Sequence, residues 1–182
     1  MLDSPIINEY FYQDSLEVSS ELIDELFLFL HEKEKQQNSD TDYLNFSEED
    51  LTVPVFLKMY GGLLGKVSEL FDSTIFPTDI KAHIKKSGEG IPFRFLNNYY
   101  FDRNTKSCEL ENSNISFLLN LNREKNQTFR FPIFIEGYNF SKEINTSEGN
   151  LVFFPDWIPF YLEKEDIKED SFLICGDFKI LK

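Results

Sequence analysis

The sequence predicts an α+β fold in which two N-terminal helices pack on an antiparallel β-sandwich or jelly roll. Two observations lead to this prediction. Apolar residues recur with the helical period of 3.6 in the first part of the chain and with the strand period of 2 from about residue 79 onward. No segment of helix length separates the predicted strands, which argues against a parallel β/α sheet. We expect one domain over 1–182, mainly helical at 1–78 and a jelly roll at 79–182.

Two helices are predicted in the N-terminal part. The first begins near Ser20, a suitable N-cap, and the second begins near Pro54, a favourable first-turn residue. Gly61 and Gly62 weaken the second helix by about 1 kcal/mol each and permit close packing against another element. The apolar faces consist of Leu22, Ile23, Leu26, Phe27 and Leu30 in the first helix, and of Phe56, Leu57, Tyr60, Leu63, Leu64, Val67, Leu70 and Phe71 in the second.

At least six short strands follow, separated by turn-forming Gly, Asn, Pro and Asp. Their sequences are DIKAHIKK, IPFRFLNNYYF, SNISFLLNLN, QTFRFPIFI, NLVFFP and SFLICGDFKIL. The opening residues of the chain, with Pro5, Ile6 and Ile7, also fit a short edge strand. In the first of the six, Ile80, Ala82 and Ile84 alternate with polar residues, which predicts one buried and one solvated face.

Charge and composition exclude several classes of ligand. The net charge of −14 argues against nucleic acid and against an anionic membrane surface, because both require a basic patch. It fits simple solubility or a partner protein more basic than this chain. No apolar run approaches the ~20 residues of a membrane span. With only Cys108 and Cys175, no CxxC motif and no signal segment, we expect two buried free thiols and a cytoplasmic setting.

Two features of the sequence are candidates for contacts with a metal or a partner. His31 and His83 are the only histidines, and they fall on different elements, so we interpret both as surface residues. The acidic loop NSDTDYLNFSEED carries Tyr43, Leu44 and Phe46, and three large apolar residues in an exposed loop would indicate an interaction site. The alternative is that these three side chains fold back onto the helices as a satellite core.

A run near the C-terminus carries a family resemblance. GNLVFFPDWI is followed two residues later by Phe160, and together with Asn114–Asn122 and Phe172–Ile180 this run resembles the iron(II)- and 2-oxoglutarate-dependent oxygenases. The similarity is closest to a bacterial and phage branch of that family and spans most of the chain. It implies a double-stranded β-helix, a variant of the jelly roll. It also implies an iron site of two histidines and one carboxylate, with open positions for cofactor and oxygen.

The residues that carry the family's chemistry are missing at the matching positions. The family's His-x-Asp pair corresponds to the region Lys106–Ser113, which contains no histidine, and its second histidine corresponds to Phe160. The base that pairs with the far carboxylate of the cofactor corresponds to Lys168. The resemblance therefore implies a scaffold without metal or cofactor. The vestigial pocket would comprise Cys108, Leu110, Phe160 and Lys168. Phe160 would fill it, buried between the sheets near the strand that carries Phe117 and Leu119.

Three functional hypotheses follow. The first is a non-enzymatic jelly-roll protein that serves as a structural or protein-binding component in a homo- or hetero-oligomeric assembly, in a phage virion or its assembly. The bias of the sequence towards Asn, Lys, Ile and Phe, which suggests an AT-rich genome, is consistent with that origin. The second is an active hydroxylase with displaced ligands at His83, Glu109 and Glu111 and with Lys168 for the cofactor. The third is a module that binds a small molecule or sugar in the old pocket.

Overall fold

The computed structural model describes residues 11–16, 19–37, 43–71, 74–85, 90–94, 114–122, 126–135, 138–163 and 171–181. These residues form three helices: α1 (Ser20–Gln37), α2 (Glu48–Leu51) and α3 (Pro54–Leu70). They also form ten strands: β1 (Tyr12–Ser15), β2 (Tyr43–Asn45), β3 (Thr74–Lys85), β4 (Ile91–Arg94), β5 (Asn114–Asn120), β6 (Gln127–Ile135), β7 (Tyr138–Thr146), β8 (Asn150–Pro155), β9 (Phe160–Leu162) and β10 (Ser171–Leu181).

The strands form two antiparallel sheets, so the predicted jelly roll is confirmed. The large sheet has six strands in the order β1-β8-β5-β10-β3-β2, and the small sheet has four in the order β4-β9-β6-β7. Consecutive strands alternate between the sheets over most of the jelly roll, which is the double winding of this architecture. The strands β1 and β2 come from the N-terminal part of the chain and form the two edges of the large sheet.

The large sheet is covered on both faces, and each face has its own apolar cluster. One cluster joins the sheet to α1 and α3 and includes Leu26, Leu30 and Phe117. The other lies between the two sheets and includes Leu118, Phe131 and Phe160. Side chains along a strand point alternately to the two faces, so neighbours such as Phe117 and Leu118 belong to different clusters.

The helices begin close to their predicted positions. Ser19, rather than Ser20, caps α1, because its hydroxyl accepts a hydrogen bond from the backbone N–H of Leu22 at 3.3 Å. Pro54 is the first residue of α3, as predicted. Of the two glycines considered for close packing, only Gly62 has that role. A β-carbon at Gly62 would lie 3.0 Å from a methyl group of Leu16, whereas one at Gly61 would meet nothing within 4 Å.

Two ion pairs hold the helical layer in place. Lys66 on α3 binds Asp14 on the edge strand β1 with a separation of 3.0 Å. Lys33 on α1 binds Asp50 on α2, and Asp50 also accepts hydrogen bonds from the backbone and hydroxyl of Ser47. None of the three helices, all within the described part of the chain, is long and apolar enough to cross a membrane.

Candidate site between the two sheets

Phe160 lies between the sheets and is fully buried, as predicted. It is the first residue of β9 in the small sheet. Its ring centroid is 6.2 Å from that of Phe154 on β8, and 6.3 and 6.4 Å from those of Phe129 and Phe131 on β6. Phe131 also contacts Phe154 edge to face, with centroids 4.9 Å apart. These contacts make Phe160 part of an aromatic cluster that joins the two sheets.

Phe160 was expected near the strand that carries Phe117 and Leu119. This strand, β5, does border the cluster that contains Phe160, but through another residue. Phe117 and Leu119 on β5 point to the opposite face of the large sheet and pack beneath the helices. Leu118 is the β5 residue that reaches the cluster containing Phe160. The correction has a simple cause. Both faces of β5 are buried, so the alternation of large residues alone does not reveal which face meets the small sheet.

The hydrophobic cluster between the sheets includes one cysteine among its described residues. The thiol of Cys175 is buried in it, which agrees with the expected small hydrophobe. The other buried members are hydrocarbon side chains. They are Ile91, Leu118, Phe129, Phe131, Ile133, Ile144, Val152, Phe154, Ile158, Phe160, Leu162 and Leu173, with the half-buried Phe11 packed against them.

His83 was interpreted as a surface residue, and the structure corrects this. Its side chain is 2% exposed and lies on the face of β3 that turns towards the small sheet. Its cross-strand neighbours are Tyr43 on β2 and Leu173 on β10, and the rings of Tyr43 and His83 have centroids 4.0 Å apart. His31, in contrast, is half exposed on α1, where its ring packs on the edge of Phe172.

Asn120 on β5 links the two sheets through hydrogen bonds that the sequence did not reveal. Its side-chain amide donates to the hydroxyl of Thr146 on β7 at 3.0 Å, and its side-chain oxygen accepts from the backbone N–H of Asn122 at 2.9 Å. Its backbone carbonyl accepts from the N–H of Gly149 at 2.8 Å, in the turn where Gly149 adopts a positive φ of 78°. Asn120 and Thr146 are both fully buried, so these hydrogen bonds connect the two sheets at one edge of the inter-sheet core.

A second buried polar pair lies on the same face of the large sheet. The hydroxyl of Ser116 on β5 donates to a carboxylate oxygen of Asp177 on β10 at 2.5 Å. Asp177 and His83 are the buried carboxylate and imidazole of this face. They lie four residues apart in the β3–β10 register, since Leu173 is the partner of His83. Four residues of strand correspond to about 13 Å, which is too far for two ligands of one metal ion.

Several predicted pocket residues cannot be compared with the structure. Cys108, Leu110 and Lys168 lie outside the described residues, as do Glu109 and Glu111, the displaced ligands of the hydroxylase hypothesis. Of the vestigial pocket, only Phe160 is described. Within the described part of the chain, no three His, Cys, Asp or Glu side chains come together.

The candidate interaction loop is also corrected. Leu44 is 1% exposed and belongs to the cluster beneath the helices. Phe46 packs against Phe56 with centroids 4.9 Å apart and stacks on Phe29 at 6.2 Å, while Tyr43 contacts His83. The satellite-core alternative therefore describes Leu44 and Phe46, which pack against the helical layer, whereas Tyr43 contacts His83 on the other face of the large sheet.

Comparison with known proteins identifies the fold through solved structures. No family model and no curated protein matches the chain at the level of sequence. Solved structures are similar over nearly the whole chain. HygX from Streptomyces hygroscopicus, with nickel and 2-oxoglutarate bound, has a TM-score of 0.67 at 10% identity, covering 95% of this chain and 84% of that one.

Two further structures are of proteins named prolyl hydroxylases. The viral collagen prolyl hydroxylase of Paramecium Bursaria Chlorella virus-1 has a TM-score of 0.60 at 12% identity, covering 98% of this chain and all of that one. A Pseudomonas putida prolyl-4-hydroxylase has a TM-score of 0.59 at 13% identity, covering 93% and 88%. The fold is therefore an oxygenase-like double-stranded β-helix. At these identities the likeness establishes the fold alone.

The described residues do not fit the iron that this fold holds in its oxygenases. The resemblance assigns the second histidine of the metal site to Phe160, and a phenyl ring offers no lone pair to a metal ion. The rings of Phe129, Phe131 and Phe154 surround it and provide no imidazole or carboxylate in its place. A charged ion against such a hydrocarbon surface would lose its hydration without compensation.

Proposed function

We propose that this protein is a non-enzymatic double-stranded β-helix that acts as a binding or structural component, using an oxygenase-like scaffold without its chemistry. The observation that carries the proposal is the aromatic cluster around Phe160. The side chain is fully buried and contacts rings from both sheets, so the position assigned to a metal ligand contributes to packing instead. A protein that keeps its scaffold stable in this way can act through its surface.

The form of this role that we propose is a component of a phage particle or of its assembly, joined to a more basic protein. Its support is the AT-rich compositional bias, the net charge of −14 and the frequent use of jelly rolls as building blocks of virus particles. Mass spectrometry of purified particles of the encoding virus tests this form. Detection in a fixed copy number per particle is expected, and absence from both particles and assembly intermediates would contradict it.

An active hydroxylase is the second candidate, since two of the compared structures are of proteins named prolyl hydroxylases. The decisive experiment is metal analysis of protein purified from iron-replete cells, together with an assay of 2-oxoglutarate turnover. The Pseudomonas putida prolyl-4-hydroxylase, prepared in the same way, is the positive control. We expect no stoichiometric iron, manganese or zinc and no turnover. Iron near one equivalent, lost on substitution of His83 or Glu109, would overturn the proposal, and iron-dependent turnover of 2-oxoglutarate would support the hydroxylase.

A further inference from the structure

The outer face of α1 carries an exposed leucine among carboxylates. Leu28 is 66% exposed, the largest exposure among the big apolar side chains of the described residues. Glu25 and Glu32 lie three residues before and four residues after it, and Glu21 lies two turns before it, so all four share one helix face. We call Glu21, Glu25, Leu28 and Glu32 the α1 outer face.

The fold does not require this arrangement. The opposite side of α1 packs the helix onto the sheet through Ile23, Leu26 and Leu30. A lysine at position 28 has a similar helix propensity and would form stabilising pairs with Glu25 and Glu32, whereas leucine forms none. Glu21 and Glu25 are like charges at i and i+4, which destabilises the helix. The packing of α1 on the sheet therefore does not determine the composition of this face.

The glutamates of this face lack the ion pairs that several other carboxylates of the described residues form. Asp14 and Asp50 pair with lysines, and Arg130 pairs with two glutamates of the small sheet. Glu21, Glu25 and Glu32 form no ion pair with any described residue. Lys35, seven residues after Leu28, is the basic residue of this face. The face therefore keeps an excess of negative charge around an apolar contact point, which is the complement of a basic segment that carries an apolar side chain.

We propose that the α1 outer face binds a basic amphipathic helix of another protein, with an apolar side chain of the partner against Leu28 and its Lys or Arg residues at Glu21, Glu25 and Glu32. The inference rests on the proposed binding function and names the surface and the partner chemistry. A second copy of this chain is a poor occupant, because its own α1 outer face would bring like charges together. An anionic membrane surface is repelled for the same reason.

The chain offers a matched control for this surface. Leu57 on α3 is also strongly exposed, at 52%, and lies on a helix. Its neighbours one turn away are Val53, Pro54, Tyr60 and Gly61, so no carboxylate surrounds it. Leu28→Gln thus removes an exposed leucine that is surrounded by carboxylates, and Leu57→Gln removes one that is not. Both variants should keep the melting temperature of the parent protein, because neither leucine is buried.

The experiment measures binding of a synthetic helical peptide of Leu, Lys and Ala, with its leucines on one face, by fluorescence anisotropy at low and physiological salt. A scrambled peptide of the same composition is the specificity control. We expect saturable one-to-one binding that Leu28→Gln and the triple variant Glu21→Gln/Glu25→Gln/Glu32→Gln each weaken about tenfold or more. The triple variant should also reduce the salt dependence. Leu57→Gln should bind like the parent.

Three outcomes overturn the proposal: no binding of the amphipathic peptide, equal binding of the scrambled peptide, or equal weakening by Leu28→Gln and Leu57→Gln. These outcomes are independent of the metal and turnover assays. Iron-dependent turnover would contradict the proposed non-enzymatic function, and the peptide result would still show whether the α1 outer face binds a basic helix. Absence of peptide binding at the α1 outer face would likewise not change the conclusion from the metal analysis.

Discussion

Phe154 and Phe160 lie on different sheets of the jelly roll, and their ring centroids are 6.2 Å apart at an interplanar angle of 69°. This edge-to-face arrangement is favourable beyond the apolar area that it buries. Because the contact crosses between the sheets, it contributes to holding them together. The residue that the family resemblance assigns to metal binding is thus a packing residue in this protein.

The first prediction is that Phe160→Ala lowers the free energy of unfolding by about 3–5 kcal/mol, because it leaves a cavity among three aromatic rings. Chemical denaturation with an unchanged m-value measures the loss. Leu57→Ala is the control for an exposed apolar side chain, and it should change stability by less than about 0.5 kcal/mol. A loss below about 1 kcal/mol for Phe160→Ala would refute the packing role.

The second prediction concerns restoration of a histidine. Phe160→His should bind no iron and should lose stability as the pH falls through about 6.5, the ordinary pKa of histidine. Burial among rings disfavours the charged imidazole and lowers its pKa in the folded state. The unfolded state therefore binds a proton that the folded state does not, and acid favours unfolding.

Phe160→Leu is the control for this pH effect, because it changes the packing and introduces no titrating group. Its loss of stability should be the same at pH 5 and pH 8. The measurement is thermal denaturation across this range, with and without iron(II) under anaerobic conditions. If iron raised the melting temperature of Phe160→His but not that of Phe160→Leu, one imidazole would suffice for a metal site, contrary to our expectation.

Most of the architecture could be predicted from the sequence, but the assignment of faces could not. The alternation of Ile80, Ala82 and Ile84 correctly identified a strand with one face towards the helices. We took the other face, with His83, to be solvated. In this fold the second face of the large sheet meets the small sheet, so His83 is buried. A period of 2 distinguishes the two faces of a strand but does not report what covers each of them.

Short or polar elements gave no sequence signal for other reasons. The strand β2 has three residues, too few for a periodic pattern, so Leu44 was assigned to a loop. The strand β7, with the sequence YNFSKEINT, was missed because its polar residues resemble a loop. Asn120 in SFLLNLN interrupts an apolar run, which is the signal that could have identified a buried polar link. Its partner Thr146 lies 26 residues away on the other sheet, a pairing that only tertiary structure establishes.

The third prediction is that Asn120→Ala destabilises the protein by about 1–3 kcal/mol. The substitution removes the donor to the hydroxyl of Thr146, which keeps only its bond to the carbonyl of Gln127, and the acceptor of the N–H of Asn122. Thr146→Val removes the other side of the inter-sheet bond while conserving shape. A double-mutant cycle between the two should give a coupling energy of about 0.5 kcal/mol or more. Strictly additive losses would show that the two side chains do not act as a link between the sheets.

The last prediction concerns the acid stability of the helical layer. The hydrogen bond from Lys66 holds the pKa of Asp14 below its ordinary value of 3.8, and the backbone N–H of Ser15 adds to this effect. Because the folded-state pKa is lowered, the stabilisation is complete above the ordinary pKa and is lost as the pH falls through the folded-state value.

Lys66→Met should therefore lower stability at neutral pH by about 0.5 kcal/mol, a modest amount because the pair is partly exposed, and the deficit should vanish below the folded-state pKa of Asp14.

Lys58→Met, on the exposed side of the same helix, is the control and should show the parent's pH dependence. Denaturation curves at a series of pH values between neutral and strongly acidic measure both. Some acid lability should persist in Lys66→Met, since the pKa of Asp50 is also lowered in the folded state. Burial raises the pKa of Asp50, but hydrogen bonds from Lys33 and Ser47 outweigh this effect and lower it overall. A deficit in Lys66→Met that stays constant down to strongly acidic pH would show that its cause is lost packing of the lysine stem and not the ion pair.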